Sequence, residues 1–201
     1  LIKIYEALGR KLHGKVAVKI STGEPGGHHF LNPLLIKDLV KQLDGTIVEC
    51  CTAYEGKRMN PEDHWEAIKQ HGFSEIAPCD IMDEKGEMEI PVNGGFHLTK
   101  NIVGEHFKDY DSWLILSHFK GHAMGGFGGA LKNMSIGIAS TDGKTNIHTA
   151  GKTSDHTKLW ENLPEQDAFL ESMADACKGV VDAVSEENIA YISVANNLSV
   201  D

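Results

Sequence analysis

Residues 15–51 read KVAVKISTGEPGGHHFLNPLLIKDLVKQLDGTIVECC, and their hydrophobic period changes twice. The β-branched run at 15–20 (KVAVKI) reads as a strand and STGEPGG at 21–27 as a glycine loop. Leu34, Leu35, Ile36, Leu39, Val40 and Leu43 then share one helical face, and TIVECC at 46–51 repeats the strand signature. A strand, a loop, a helix and a second strand in that order form the unit from which parallel sheets are built.

The pattern extends outward from there. Residues 61–70 read as a helix, with Asn60 as N-cap, Pro61 at the first helical position and Gly72 beyond the end. Residues 73–96 contain short extended pieces, SEIAPCDIM and MEIPV, and read as peripheral strands and loops. SWLILS at 112–117 is nearly continuous apolar sequence, as a strand covered on both faces requires. Residues 164–184 carry helical spacing, and IAYISV at 189–194 gives a further strand. The expectation is one α/β domain over 1–201, Rossmann-like, with a mainly parallel sheet, helices on both faces and ligands at the strands' carboxyl ends.

Composition narrows the function. The chain has 201 residues, and 19 Lys and Arg against 29 Asp and Glu give a net charge of −10. Such a balance argues against a nucleic-acid partner, whose phosphates call for a basic face. No apolar stretch reaches the length of a membrane span, and the charged opening LIKIYEALGRKLHGK does not resemble a signal peptide. The expectation is a cytoplasmic protein. Cys50, Cys51, Cys79 and Cys177 form no CxxC pair and read as buried thiols.

Three segments could carry chemistry. The first, Ser21 to His29, offers Gly26, Gly27, His28 and His29 at a predicted strand end, where glycine lets backbone approach an anion. A tight turn with solvent-facing histidines is the alternative. The second, Ser117 to Lys132, holds His118, Lys120, His122, Gly128, Gly129 and Lys132. His118 and His122 are candidate ligands for a divalent metal or a substrate, and Lys120 and Lys132 supply charge for a carboxylate or phosphate. Its many glycines are also compatible with a close-packed strand-to-helix crossing. The third, residues 142–152, carries Gly-Lys-Thr at 143–145 and opens a second at 151–153, and both read as accidental matches to a phosphate loop. It reads as a polar loop carrying His148 and able to close over the second segment. Tyr54, Glu55 and Arg58 follow a strand end and are candidate contacts for a small polar substrate.

SHFKGHAMGGFGGALKNMSIGIAS at 117–140, with IHTAGK at 147–152, resembles a family of bacterial and archaeal proteins known only as a domain of unknown function. Its hallmark is a Lys-Gly-His segment followed by Gly-Gly-x-Gly-Gly-Ala-x-Lys-Asn, and many members carry a ferredoxin-type module with 4Fe–4S clusters. No CxxCxxCxxxCP run occurs in this chain, so the resemblance places any such module beyond residue 201. The loop after the first strand, and the ten-residue spacing from His122 to Lys132, are also similar to the first domain of nickel-dependent lactate racemases. In that family a histidine of the segment binds the metal and the lysine holds a pincer cofactor. The likeness implies a fold and a site location.

Together these readings predict a domain of an iron–sulfur or metal-dependent redox or cofactor-handling protein that takes a small anionic molecule. His118, His122 and Lys132 are the expected reactive groups, with His28, His29 and His148 as second contributors. One alternative is a racemase-like or isomerase-like acid–base enzyme acting on a hydroxy acid. Another is a non-catalytic module that docks an electron-transfer protein.

Overall fold

Asn32 and Asn60 start two helices in the same way. Each side-chain oxygen accepts a backbone N–H, from Leu34 and Asp63 respectively, and a proline occupies the first turn. In the computed structural model, which describes residues 1–196, these helices are α2 (Pro33–Gln42) and α3 (Pro61–Gln70), preceded by α1 (Ile2–Ala7). Gly72 ends the second at φ 81°, in the left-handed region where glycine carries no penalty.

Five strands form one parallel sheet: β1 (Val16–Lys19), β2 (Thr46–Glu49), β3 (Cys79–Ile81), β6 (Ser112–His118) and β9 (Ile189–Val194). The antiparallel pair β4 (Glu87–Pro91) and β5 (Lys100–Gly104) stands apart, as does the small hairpin β7 (Lys120–His122) and β8 (Gly126–Gly128). The remaining α-helices among the described residues are α4 (Ala130–Ser135), α5 (Thr141–His148) and α6 (Gln166–Val184).

The strand order is β3-β2-β1-β6-β9, so the chain builds outward from β1 and then returns to build the other way from β6. The loops leaving β1 and β6 diverge at this switch point and open a crevice there. Helices cover both faces, as expected. Ile36, Leu39 and Val40 of α2 and Ile68 of α3 pack on Val16, Val18, Leu114 and Leu116. On the other face Met134, Cys177 and Val180 pack with Ala17, Trp113 and Ile115. β6 is buried along its whole length, which is why its sequence does not alternate.

Residues 79–81 form a peripheral strand, and the structure adds its place: β3 pairs in register with β2, Ile47 opposite Cys79, as an edge of the main sheet. Three residues are too short a run to show a period. One expectation is corrected: residues 142–152 are not a loop, since most of the segment lies in α5, whose residues from Gly143 to Ile147 are buried. Ser140 caps that helix, and Gly143 lets it press on β5; a Cβ there would stand 1.8 Å from the Ile102 carbonyl oxygen. The segment's polarity concealed a helix that packs through a glycine. The module expected beyond residue 201 lies outside the described residues. Among these, no helix is long and apolar enough to cross a membrane.

Candidate functional site

A cavity of about 500 Å³ opens at the carboxyl ends of β1 and β6 and is walled by residues from all three candidate segments. Five cationic side chains line it, Lys19, Arg58, Lys120, Lys132 and Lys144, against two carboxylates, Glu24 and Glu49. A protein of net charge −10 therefore concentrates positive charge at one place.

One side of the cavity is a closed ion network. Lys19, at the end of β1, is buried, and its Nζ lies 2.7 Å from Glu49 Oε2 at the end of β2. Glu49 Oε1 accepts the Thr22 backbone N–H at 2.7 Å and stands 3.6 Å from Arg58, which also pairs with Glu24. Burial alone would raise the Glu49 carboxyl; Lys19, His64 and Arg58 outweigh it and hold the group down at about 2. Asn133 fastens α4 to this network, accepting from Lys19 Nζ at 3.2 Å and donating to the Lys19 carbonyl at 2.9 Å. The Lys-Asn pair of the central motif thus has two roles: Asn133 locks the helix to β1, and Lys132 faces the cavity.

The other side is not closed. Among the described residues Lys132 has no hydrogen-bond or ion-pair partner. Burial and the charges of Lys120, Arg58, Lys19 and Lys144 push its ammonium down to about 8. Lys144 is buried, and its Nζ donates to the Ala139 carbonyl at 2.5 Å, with no carboxylate paired to it among the described residues.

Two neutral imidazoles join these lysines. The Gly125 N–H donates to His122 Nδ1 at 2.9 Å, so the neutral ring carries its proton on Nε2. His148 Nδ1 lies 2.6 Å from the Lys144 carbonyl, which only accepts, so this ring carries its proton on Nδ1 and leaves Nε2 as a lone pair. Burial, then the charge of Lys132, lowers His122 to about 4; burial and the lysine charges lower His148 to the same value. His148 is also stacked on Phe169, with ring centroids 5.1 Å apart.

The cavity gathers most of the predicted residues. Gly27, His29, His118, Lys120, His122, Gly128, Gly129, Lys132 and His148 line it, whereas Gly26 and His28 are exposed and do not. His118 has both ring nitrogens against carbonyl oxygens, His29 at 3.1 Å and Asn196. Cys50 lines the wall as a thiol whose pKa burial raises well above its usual value, which leaves it unreactive. Among the described residues no three His, Cys, Asp or Glu side chains group so as to hold a metal ion.

Sequence reading missed Lys19 and Glu49. The available signal was a charged residue ending each of two otherwise apolar strands, since adjacent parallel strands bring such ends together.

Residues 16–201 match a family described as Domain of unknown function (DUF362). The chain belongs to this family. The DUF362 fold is similar to a solved structure, the lactate racemase apoprotein from Thermoanaerobacterium thermosaccharolyticum, with a TM-score of 0.59 and 17% identity. The match covers 96% of this chain and 45% of that one, so the DUF362 chain spans less than half of the racemase. No curated protein matches the sequence. The likeness establishes a shared fold; the chemistry of the DUF362 cavity has to be argued from its own residues.

Proposed function

We propose that this domain binds a small anionic molecule beside Lys132 and transfers protons on it through His122 and His148, as an enzyme acting on a hydroxy acid would. The observation that carries the reading is the Lys132 ammonium, which among the described residues has no partner and stands in a cavity with two neutral imidazoles of opposite tautomer. A half-buried cation without a counter-charge is costly, and an anionic ligand offsets the cost. The two rings offer complementary atoms, a proton on His122 Nε2 and a lone pair on His148 Nε2.

Ligand binding also prepares the rings. At about 4 both imidazoles are weak bases. An anion at Lys132 offsets part of the positive charge that depresses them and moves both toward the neutral range where proton transfer is efficient.

The residues also fit a metal that arrives with its own organic ligands, as the similarity to nickel-dependent racemases suggests. His148 Nε2 is the available imidazole donor, and the Lys132 amine would hold the organic part. His122 Nε2 fits this role poorly, because the Gly125 N–H fixes the ring in the opposite tautomer. Such a group would supply a hydride acceptor.

Titration calorimetry with lactate and with inorganic phosphate tests the reading. Saturable binding by the wild type, weakened about tenfold or more in Lys132→Ala, is expected. Exchange of the lactate α-hydrogen in D₂O should require both His122 and His148. If neither anion binds, or if Lys132→Ala binds as well as the wild type, the reading fails.

A further inference from the structure

The cavity holds more uncompensated charge than one carboxylate can neutralise. Lys19 and Arg58 are matched within the protein by Glu49 and Glu24. Lys132 and Lys144 are not. Among the described residues Lys132 has no partner, and Lys144 spends one donor on the Ala139 carbonyl and meets no carboxylate. Both line the same cavity, Lys132 on α4 and Lys144 on α5, and Lys144 is 6% exposed. An ammonium that far from water retains two donors that nothing among the described residues satisfies.

We infer that the ligand of this cavity is a dianion, carrying two negative charges that Lys132 and Lys144 share, rather than a monocarboxylate such as lactate. This rests on the anion-binding reading above and specifies its substrate class. Two chemistries meet the requirement, a dicarboxylate and a phosphoryl group. Both bring at least three acceptor oxygens, enough for the free donors of two ammonium groups, whereas a lone carboxylate leaves one ammonium uncompensated. The cavity volume of about 500 Å³ accommodates either.

Calorimetry on the wild-type chain at pH 7 with lactate, malate and methyl phosphate gives the first arm of the test. Malate extends the lactate skeleton by one carboxylate, and it should bind about tenfold tighter or more. Methyl phosphate gives a second arm without mutation: it passes from monoanion to dianion near pH 6, so its affinity should rise about tenfold between pH 5 and pH 7. Whichever of malate and methyl phosphate binds more tightly identifies the source of the second charge. In Lys144→Gln the malate-to-lactate ratio should collapse toward one; if that variant does not fold, the wild-type pH arm decides.

Lactate and malate binding alike, with methyl phosphate indifferent to pH, would overturn the dianion and leave the anion site standing. A malate preference that persists in Lys144→Gln would also overturn it, by placing the second charge elsewhere. Failure of all three probes to bind removes the anion site itself, and the dianion with it.

Discussion

The two sides of the cavity carry the same kind of charge and use it in opposite ways. Around Lys19, Glu49, Thr22 and Arg58 every charge is answered within the protein, over distances of 2.7 to 3.6 Å. Around Lys132 and Lys144 the cations stand on helices packed beside the sheet and find no carboxylate among the described residues. The first arrangement ties together the ends of β1, β2 and the loop that carries Arg58. The second leaves an attraction unsatisfied, which is what a binding site requires. A charge's role here follows from whether the fold supplies its partner.

The strongest way to break that contrast is to remove the hub of the closed side. Glu49→Ala should destabilise the fold by about 4 kcal/mol in urea denaturation, because Lys19 becomes an uncompensated buried cation. A loss below about 1 kcal/mol would show that the network is not structural.

Acid attacks the same side without mutation. Held at about 2 against an ordinary 4.5, Glu49 contributes stability that is full above pH 4.5 and is lost as the pH falls toward 2, worth about 3 kcal/mol. His64 acts at a higher window. Burial lowers it to about 4 from 6.5, so the unfolded chain takes up a proton that the folded chain refuses, and stability falls between pH 6.5 and 4. Urea midpoints across this range should decline in two stages; His122 and His148, also lowered to about 4, load the upper stage with His64, so His64→Asn should shallow that stage by about a third and leave the lower one unchanged.

The smallest expected change in stability sharpens the comparison most. Lys132→Met should leave stability unchanged or raise it by about 1 kcal/mol, since it deletes a half-buried charge that has no partner among the described residues. Parallel losses of stability in Lys132→Met and Glu49→Ala would erase the distinction between the two sides.

Much of this was readable in the chain. KVAVKI, TIVECC and SWLILS announced parallel strands because a doubly covered strand must be apolar throughout. Asn60 and Pro61 marked a helix start through local hydrogen bonding that needs no tertiary context. The glycine-rich stretch at 117–132 drew attention to His118, His122 and Lys132, which line one cavity. Less legible were β3, at three residues too short to show a period, and α5, whose buried positions include Lys144, Thr145 and Asn146.

The sequence by itself determined the alternation of strands and helices, the caps and the glycine positions. Each depends on neighbours within a few residues and on whether a side chain prefers water. Only the tertiary structure decided which charges are partnered. Lys19 meets Glu49 across 30 positions and Asn133 across 114, while Lys132 meets no partner among the described residues. Whether a lysine becomes a structural tie or a waiting site depends on what the fold places within about 4 Å of its nitrogen, a distance that local pattern does not encode.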